Sequence, residues 1–130
     1  MVVAYFFTAL GASAERYLPT DAAALVFVGV IAAPLLETLA LQALPVFIAR
    51  LCKARLSYQI LASLIPFTIL HAVEGILVGL CAGLIGGFYF AFTYVHWREH
   101  SRWKAFWVTA LSHAIHNALA LTIGFLSGEL

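Results

Sequence analysis

Residues 22–49 read AAALVFVGVIAAPLLETLALQALPVFIA, and Glu37 is the one ionisable side chain in the run. A helix needs about 20 predominantly apolar residues to cross the ~30 Å hydrocarbon core of a bilayer, and this stretch exceeds that length. Thr20 or Asp21 stands where an N-cap is needed, and Pro34 and Pro45 should bend the helix that they interrupt. A buried carboxylate in such a helix is costly, so its position calls for a partner or a task.

Outward from this run the pattern repeats. Residues 50–57, RLCKARLS, carry three basic side chains and no acid, after which apolar sequence resumes from Tyr58 to Trp97. That second run is about 40 residues, about 60 Å as a helix and twice the bilayer core, so it predicts two crossings. Charge and glycine coincide at HAVEG, residues 71–75, which is the natural reversal. Residues 97–104, WREHSRWK, are basic again and flanked by Trp97 and Trp103 as interfacial aromatics. A last helix is expected over about residues 105–126. Upstream of the polar break at residues 13–21, residues 1–12 read as a short membrane helix of roughly 18 Å, without the basic start of a secretory signal. The expected fold is all-α, a polytopic transmembrane bundle of four to five helices forming one domain over residues 1–130.

Composition agrees. Hydrophobic residues make up 64% of the chain and charged residues 10%, against roughly 25% charged in a soluble domain; the mean hydropathy is +1.00. The net charge is +1, and the seven Lys and Arg are not gathered into a groove, which excludes a nucleic-acid partner. Cys52 and Cys81 have no paired spacing and read as plain small residues. An even number of crossings separates the two basic loops, so both lie on one face, which the positive-inside rule makes cytoplasmic.

Within the apolar helices the costly side chains are few: Glu37, Gln42, His71, His113, His116 and Asn117, with Glu74 at a helix end. Ionisable groups in hydrocarbon cost at least about 2.5 kcal/mol each at mid-helix, so they should face the bundle interior and one another. Counted from the basic end at 1.5 Å per residue, Glu37 lies roughly 18 Å deep, His71 about 20 Å and His113 about 12 Å. Three helices thus bring a carboxylate and two imidazoles to similar depth. His113 and Asn117, one helical turn apart, share a face, with His116 beside it. Such a cluster suits general-base activation of water by Glu37 with His71, while a His and Asn pair can supply donors to an oxyanion.

The order of these motifs is informative. A Glu after Pro-Leu-Leu, then FTILH (residues 67–71), then HAIHN (residues 113–117), resembles the CAAX protease and bacteriocin-processing family (CPBP, also called Abi), glutamate-type intramembrane endopeptidases. The family pattern is a Glu-Glu pair with an Arg four residues after the second Glu, a Phe-x-x-x-His and a His-x-x-x-Asn. The resemblance runs from about Ala33 to Ala118. It implies that Glu37 is the water-activating base, that His71 shares the water, and that His113 and Asn117 stabilise the oxyanion, with Phe67 beside them. Two positions depart from the pattern: Thr38 stands for the second Glu and Gln42 for the Arg. An Arg in a membrane wants a carboxylate, so losing both leaves no unpaired charge, and a neutral Thr and Gln can keep a hydrogen-bonded surround. A Glu and His water requires no metal; were zinc present, His71, His113 and Glu37 would be its ligands. The implied activity is hydrolysis of a peptide bond in a membrane-associated peptide or protein at a bacterial cytoplasmic membrane.

The remaining features have plainer expectations. His96 and His100 lie in a basic loop facing headgroups, and Glu74 is an interfacial charge near His71. Gly79, Gly83, Gly86 and Gly87 permit close helix approach rather than phosphate binding. The rival reading is a non-catalytic helical membrane protein with a polar core: an inactive relative, an immunity or binding partner, or a small carrier, although no repeated halves of the carrier kind are visible.

Overall fold

Asp21 caps the first helix of the computed structural model, its carboxylate accepting from the Ala23 N–H at 3.2 Å. The structure describes residues 21–127; the short helix expected over residues 1–12, the polar break before Asp21 and the alternative cap Thr20 lie outside the described residues. Four helices follow in order: α1 Ala22–Leu51, α2 Leu56–Ala72, α3 Ile76–Arg98 and α4 Arg102–Ser127. Helices α1, α3 and α4 are long and apolar enough to cross a membrane. Helix α2, with 17 residues, reaches about 26 Å, a little short of the hydrocarbon core. The described chain is an all-α helical bundle with no strand, as the apolar runs predict.

Its packing is the reverse of a water-soluble domain. Leu36, Leu39, Ile69, Ile85 and Leu119 are exposed on the outside, while Glu37, Thr38, Gln42, Ser63, His71, Thr109 and His113 are buried. Lipid favours this arrangement, because apolar side chains cost nothing against acyl chains and polar ones need partners inside. The apolar core, Val46, Tyr94, Val95 and Ala105, sits toward the basic end.

The two prolines act through the backbone hydrogen bonds they remove. Ala33 donates to Val28 and Leu44 to Leu39, each one residue further back than in an α-helix and each just before a proline. The wider π register eases the clash between the proline ring and the preceding turn, and it leaves carbonyls without a backbone donor. Neighbouring helices supply the donors: Asn117 Nδ2 donates to Gly29 O at 2.9 Å and Ser63 Oγ to Leu41 O at 2.9 Å. In hydrocarbon each freed carbonyl would otherwise cost several kcal/mol, so the proline-interrupted helix and its partners specify each other.

The pairing of α2 with α3 depends on glycine. A Cβ on Gly79 would stand 2.7 Å from Ala72 Cα, and one on Gly87 2.8 Å from the Phe67 ring. At Gly83 it would lie 3.1 Å from both His71 Cβ and Thr68 Cα, and Thr68 Oγ1 donates to Gly83 O at 3.1 Å. The reversal falls within HAVEG as expected, with Gly75 at φ 141°, a backbone conformation other residues rarely adopt.

The two basic loops meet at one end of the bundle. Arg50 pairs with Glu99 and also donates to Gln59 Oε1 at 3.4 Å. Helix α4 starts at Arg102, three residues before the expected boundary, because the Ser101 hydroxyl accepts from the Lys104 N–H at 3.5 Å and caps it.

Candidate functional site

Glu37 ends the short α-helical stretch Ala33–Glu37 between the two π segments of α1, three residues after Pro34. Its Oε2 faces His113 Nε2 on α4 at 3.5 Å. Both side chains are almost wholly enclosed, Glu37 at 6% and His113 at 2% exposure. The first candidate base and the first histidine of HAIHN are therefore in direct contact.

His71 approaches from α2. Its Nδ1 lies 2.9 Å from Phe67 O; a carbonyl only accepts, so Nδ1 carries the hydrogen and Nε2 is left with its lone pair. The FTILH spacing produces this bond, since residues four apart on a helix stack one turn above the other. Phenylalanine rings hold both imidazoles in place. Phe67 stacks on His71 with centroids 4.4 Å apart, and Phe90 stacks on His113 at 4.4 Å. Phe67 also reaches His113, at 5.7 Å, so it wedges between the two histidines.

Glu37, His71 and His113 line a single cavity of about 250 Å³ together with Phe67, Glu74 and Asn117. Gly29, Val78 and Leu121 also line it, and all three lie toward the HAVEG end of their helices. The cavity thus runs from the Glu37 and His113 pair away from the basic loops. Glu74 stands along it with a buried Oε1 that has no hydrogen-bond partner among the described residues, and burial holds its carboxyl above the usual carboxylate range. His116 lines the cavity from an exposed position.

Asn117 is placed differently from the donor that HAIHN implies. Its amide nitrogen donates to Gly29 O, which ties α4 to α1. One hydrogen of the amide remains for another acceptor. Thr38 and Gln42, the positions that depart from the family pattern, are both 0% exposed, and neither side chain has a hydrogen-bond partner among the described residues. Thr109, one turn before His113 on α4, is likewise buried, its hydroxyl without a partner among them. These three extend the polar core from the pair toward the basic end, and neither Thr109 nor Ser63 stood out in the sequence. A hydroxyl opposite a proline-broken helix is the signal that could have found Ser63.

A metal fits poorly. Among the described residues no three His, Cys, Asp or Glu side chains converge closely enough to hold one ion. Glu37, His71 and His113 share the cavity without forming such a set, so no chemical step is routed through a metal.

No protein-family model, curated protein or solved structure matches this chain. The geometry of the site is what speaks to its chemistry.

Proposed function

We propose that this chain is an intramembrane endopeptidase that hydrolyses a peptide bond of a membrane-associated peptide or protein, with Glu37 as the base. The observation that supports the reading is the contact of Glu37 Oε2 with His113 Nε2 at 3.5 Å, in a cavity that His71 also lines. A water held between Glu37 and the free Nε2 of His71 loses a proton to Glu37 as its oxygen attacks the scissile carbonyl. The carbonyl π electrons move onto oxygen, and His113, with the spare amide hydrogen of Asn117, donates toward that oxyanion. Collapse of the tetrahedral intermediate breaks the C–N bond, and Glu37 returns the proton to the departing amine. Phe67 and Phe90 restrict the imidazoles to the orientations these transfers need.

The setting follows the same reading. The basic loops face the cytoplasm of a bacterial cell, and the cavity runs toward the opposite side of the membrane. Leader peptides, membrane-anchored tails and prenylated C-termini are the substrate classes to test. The test compares native protein and Glu37→Gln, reconstituted in vesicles with a prenylated C-terminal peptide and, separately, a membrane-anchored leader peptide. Cleavage by the native protein that falls at least about 100-fold in the variant is expected. Equal cleavage by both removes Glu37 as the base.

A second reading draws on Asn117: its bond to Gly29 O serves helix pairing. In a non-catalytic membrane protein the enclosed polar side chains would fix helix register alone, and the native protein would cleave neither peptide.

A further inference from the structure

A second hollow lies away from the proposed catalytic site, on the lipid-facing side of α1. It measures about 460 Å³, within the range of small-molecule sites. Leu39, Leu44 and Phe47 form its wall, and Tyr94, Arg98 and Arg102 form its other side. Leu39 to Phe47 is about 12 Å of helix running toward the basic end, so the groove is apolar at depth and cationic at the headgroup level.

The charges are the decisive feature. Arg50 is committed to Glu99, whereas neither Arg98 nor Arg102 has an acidic partner within ion-pair distance among the described residues. The Arg98 guanidinium feels the positive charges of Arg50 and Arg102, only partly offset by the Glu99 carboxylate, and both Arg98 and Arg102 act on the Tyr94 phenol. Tyr94 and Arg98 are four apart on α3 and share a face; Arg102 opens α4 just across the turn. Two planar cations without an ion-pair partner of their own and a phenol at the mouth of an apolar channel match a phosphodiester carrying an acyl chain. A zwitterionic lipid would bring a cation of its own toward the arginines.

We infer that this groove binds one anionic phospholipid, its phosphate between Arg98 and Arg102 with the Tyr94 hydroxyl donating to a phosphate oxygen, and an acyl chain along Phe47, Leu44 and Leu39. The seat is independent of the peptidase reading.

Native mass spectrometry of the detergent-solubilised full chain with dioleoyl phosphatidylglycerol or phosphatidylcholine tests it. Two basic side chains give an expected preference of about 30-fold for the anionic lipid. Arg98→Gln with Arg102→Gln should reduce the preference to below about 3-fold. Lys53→Gln with Arg55→Gln, basic positions at the same end that do not line the groove, should leave it unchanged. Leu44→Trp fills the wall, keeps every charge and should lower phosphatidylglycerol retention; this variant decides the matter should the arginine pair fail to fold. Equal binding of the two lipids, an equal loss in the Lys53 and Arg55 variant, displacement by inorganic phosphate, or undiminished binding to Leu44→Trp would each overturn the assignment.

Discussion

Glu37 on α1 and His113 on α4 face each other at 3.5 Å, Oε2 to Nε2, inside a bundle whose outer surface is apolar. An uncompensated carboxylate in hydrocarbon costs several kcal/mol, so the pair bears on stability and on the proposed chemistry together, and the two can be separated. His113→Asn keeps a donor but shortens the reach. It should lower peptide cleavage by roughly 100-fold and lower the thermal midpoint in micelles as the Glu37 partner is lost. His71→Asn should lower cleavage with a smaller change in the midpoint, since His71 bonds to the carbonyl of its own helix. Equal midpoints for the two variants would contradict the pairing of Glu37 with His113.

Asn117 joins α4 to α1 through a carbonyl that the π register before Pro34 sets free. Asn117→Leu leaves Gly29 O without its donor, at a cost of about 1–2 kcal/mol by analogy with interhelical hydrogen bonds in membranes. Thermal unfolding in micelles should show that loss. Pro34→Ala restores a backbone donor nearby, so the double variant should lose less than Asn117→Leu alone. A double-variant loss equal to the sum of the two would mean the proline and the asparagine act independently.

How much of this arrangement could be read in advance differs by element. The four apolar stretches, the Asp21 cap, the reversal at Gly75 and the meeting of the basic loops all follow from length, charge and turn chemistry, which are local properties. The partner of a freed carbonyl is not local: Pro34 and Pro45 announce missing donors, and only packing selects Asn117 and Ser63 to replace them. The depth count places His113 too shallow, because Ser101 starts α4 at Arg102 and adds about a turn below the histidine. Glu37 therefore meets His113 on α4, while His71 lines the same cavity.

The α2 and α3 contact predicts a sharp size dependence. Gly79→Ala places a methyl group 2.7 Å from backbone Ala72 Cα, where no side chain can swing aside. Overpacking of this kind costs about 1–3 kcal/mol, to be read from thermal unfolding. At Gly86 an added Cβ meets nothing nearer than 3.7 Å, so Gly86→Ala should leave the midpoint nearly unchanged. Equal effects at the two positions would contradict the close approach.

The basic end carries a pH-dependent tie. The Arg50 guanidinium bonded to Glu99 holds that carboxyl below its ordinary value of 4.5. The folded state therefore binds this proton more weakly than the unfolded chain, so the contribution to stability is complete above pH 4.5 and is lost as the pH falls through the depressed value. Coupling between Arg50→Ala and Glu99→Ala in a double-mutant cycle should be present at neutral pH and shrink in acid. Because both side chains are solvent-accessible, the coupling should be small and should weaken further in 1 M salt, where the screening length is about 3 Å. Coupling that grows on acidification would show that the two side chains interact by another means.

Gln42 tests whether the enclosed polar core is hydrated. Its amide is fully buried, and neither its oxygen nor its nitrogen has a hydrogen-bond partner among the described residues. Left dry, an unsatisfied amide costs about 1–3 kcal/mol, and Gln42→Leu, similar in volume, should then raise the thermal midpoint. Waters bridging Gln42 to Thr38 and Thr109 would reverse the sign, because leucine would strip partners from the two buried hydroxyls. The lack of protein partners at all three side chains favours hydration, so the expected result is a lower midpoint for Gln42→Leu and a smaller loss in the triple variant with Thr38→Val and Thr109→Val. A raised midpoint for the single variant would establish a dry core.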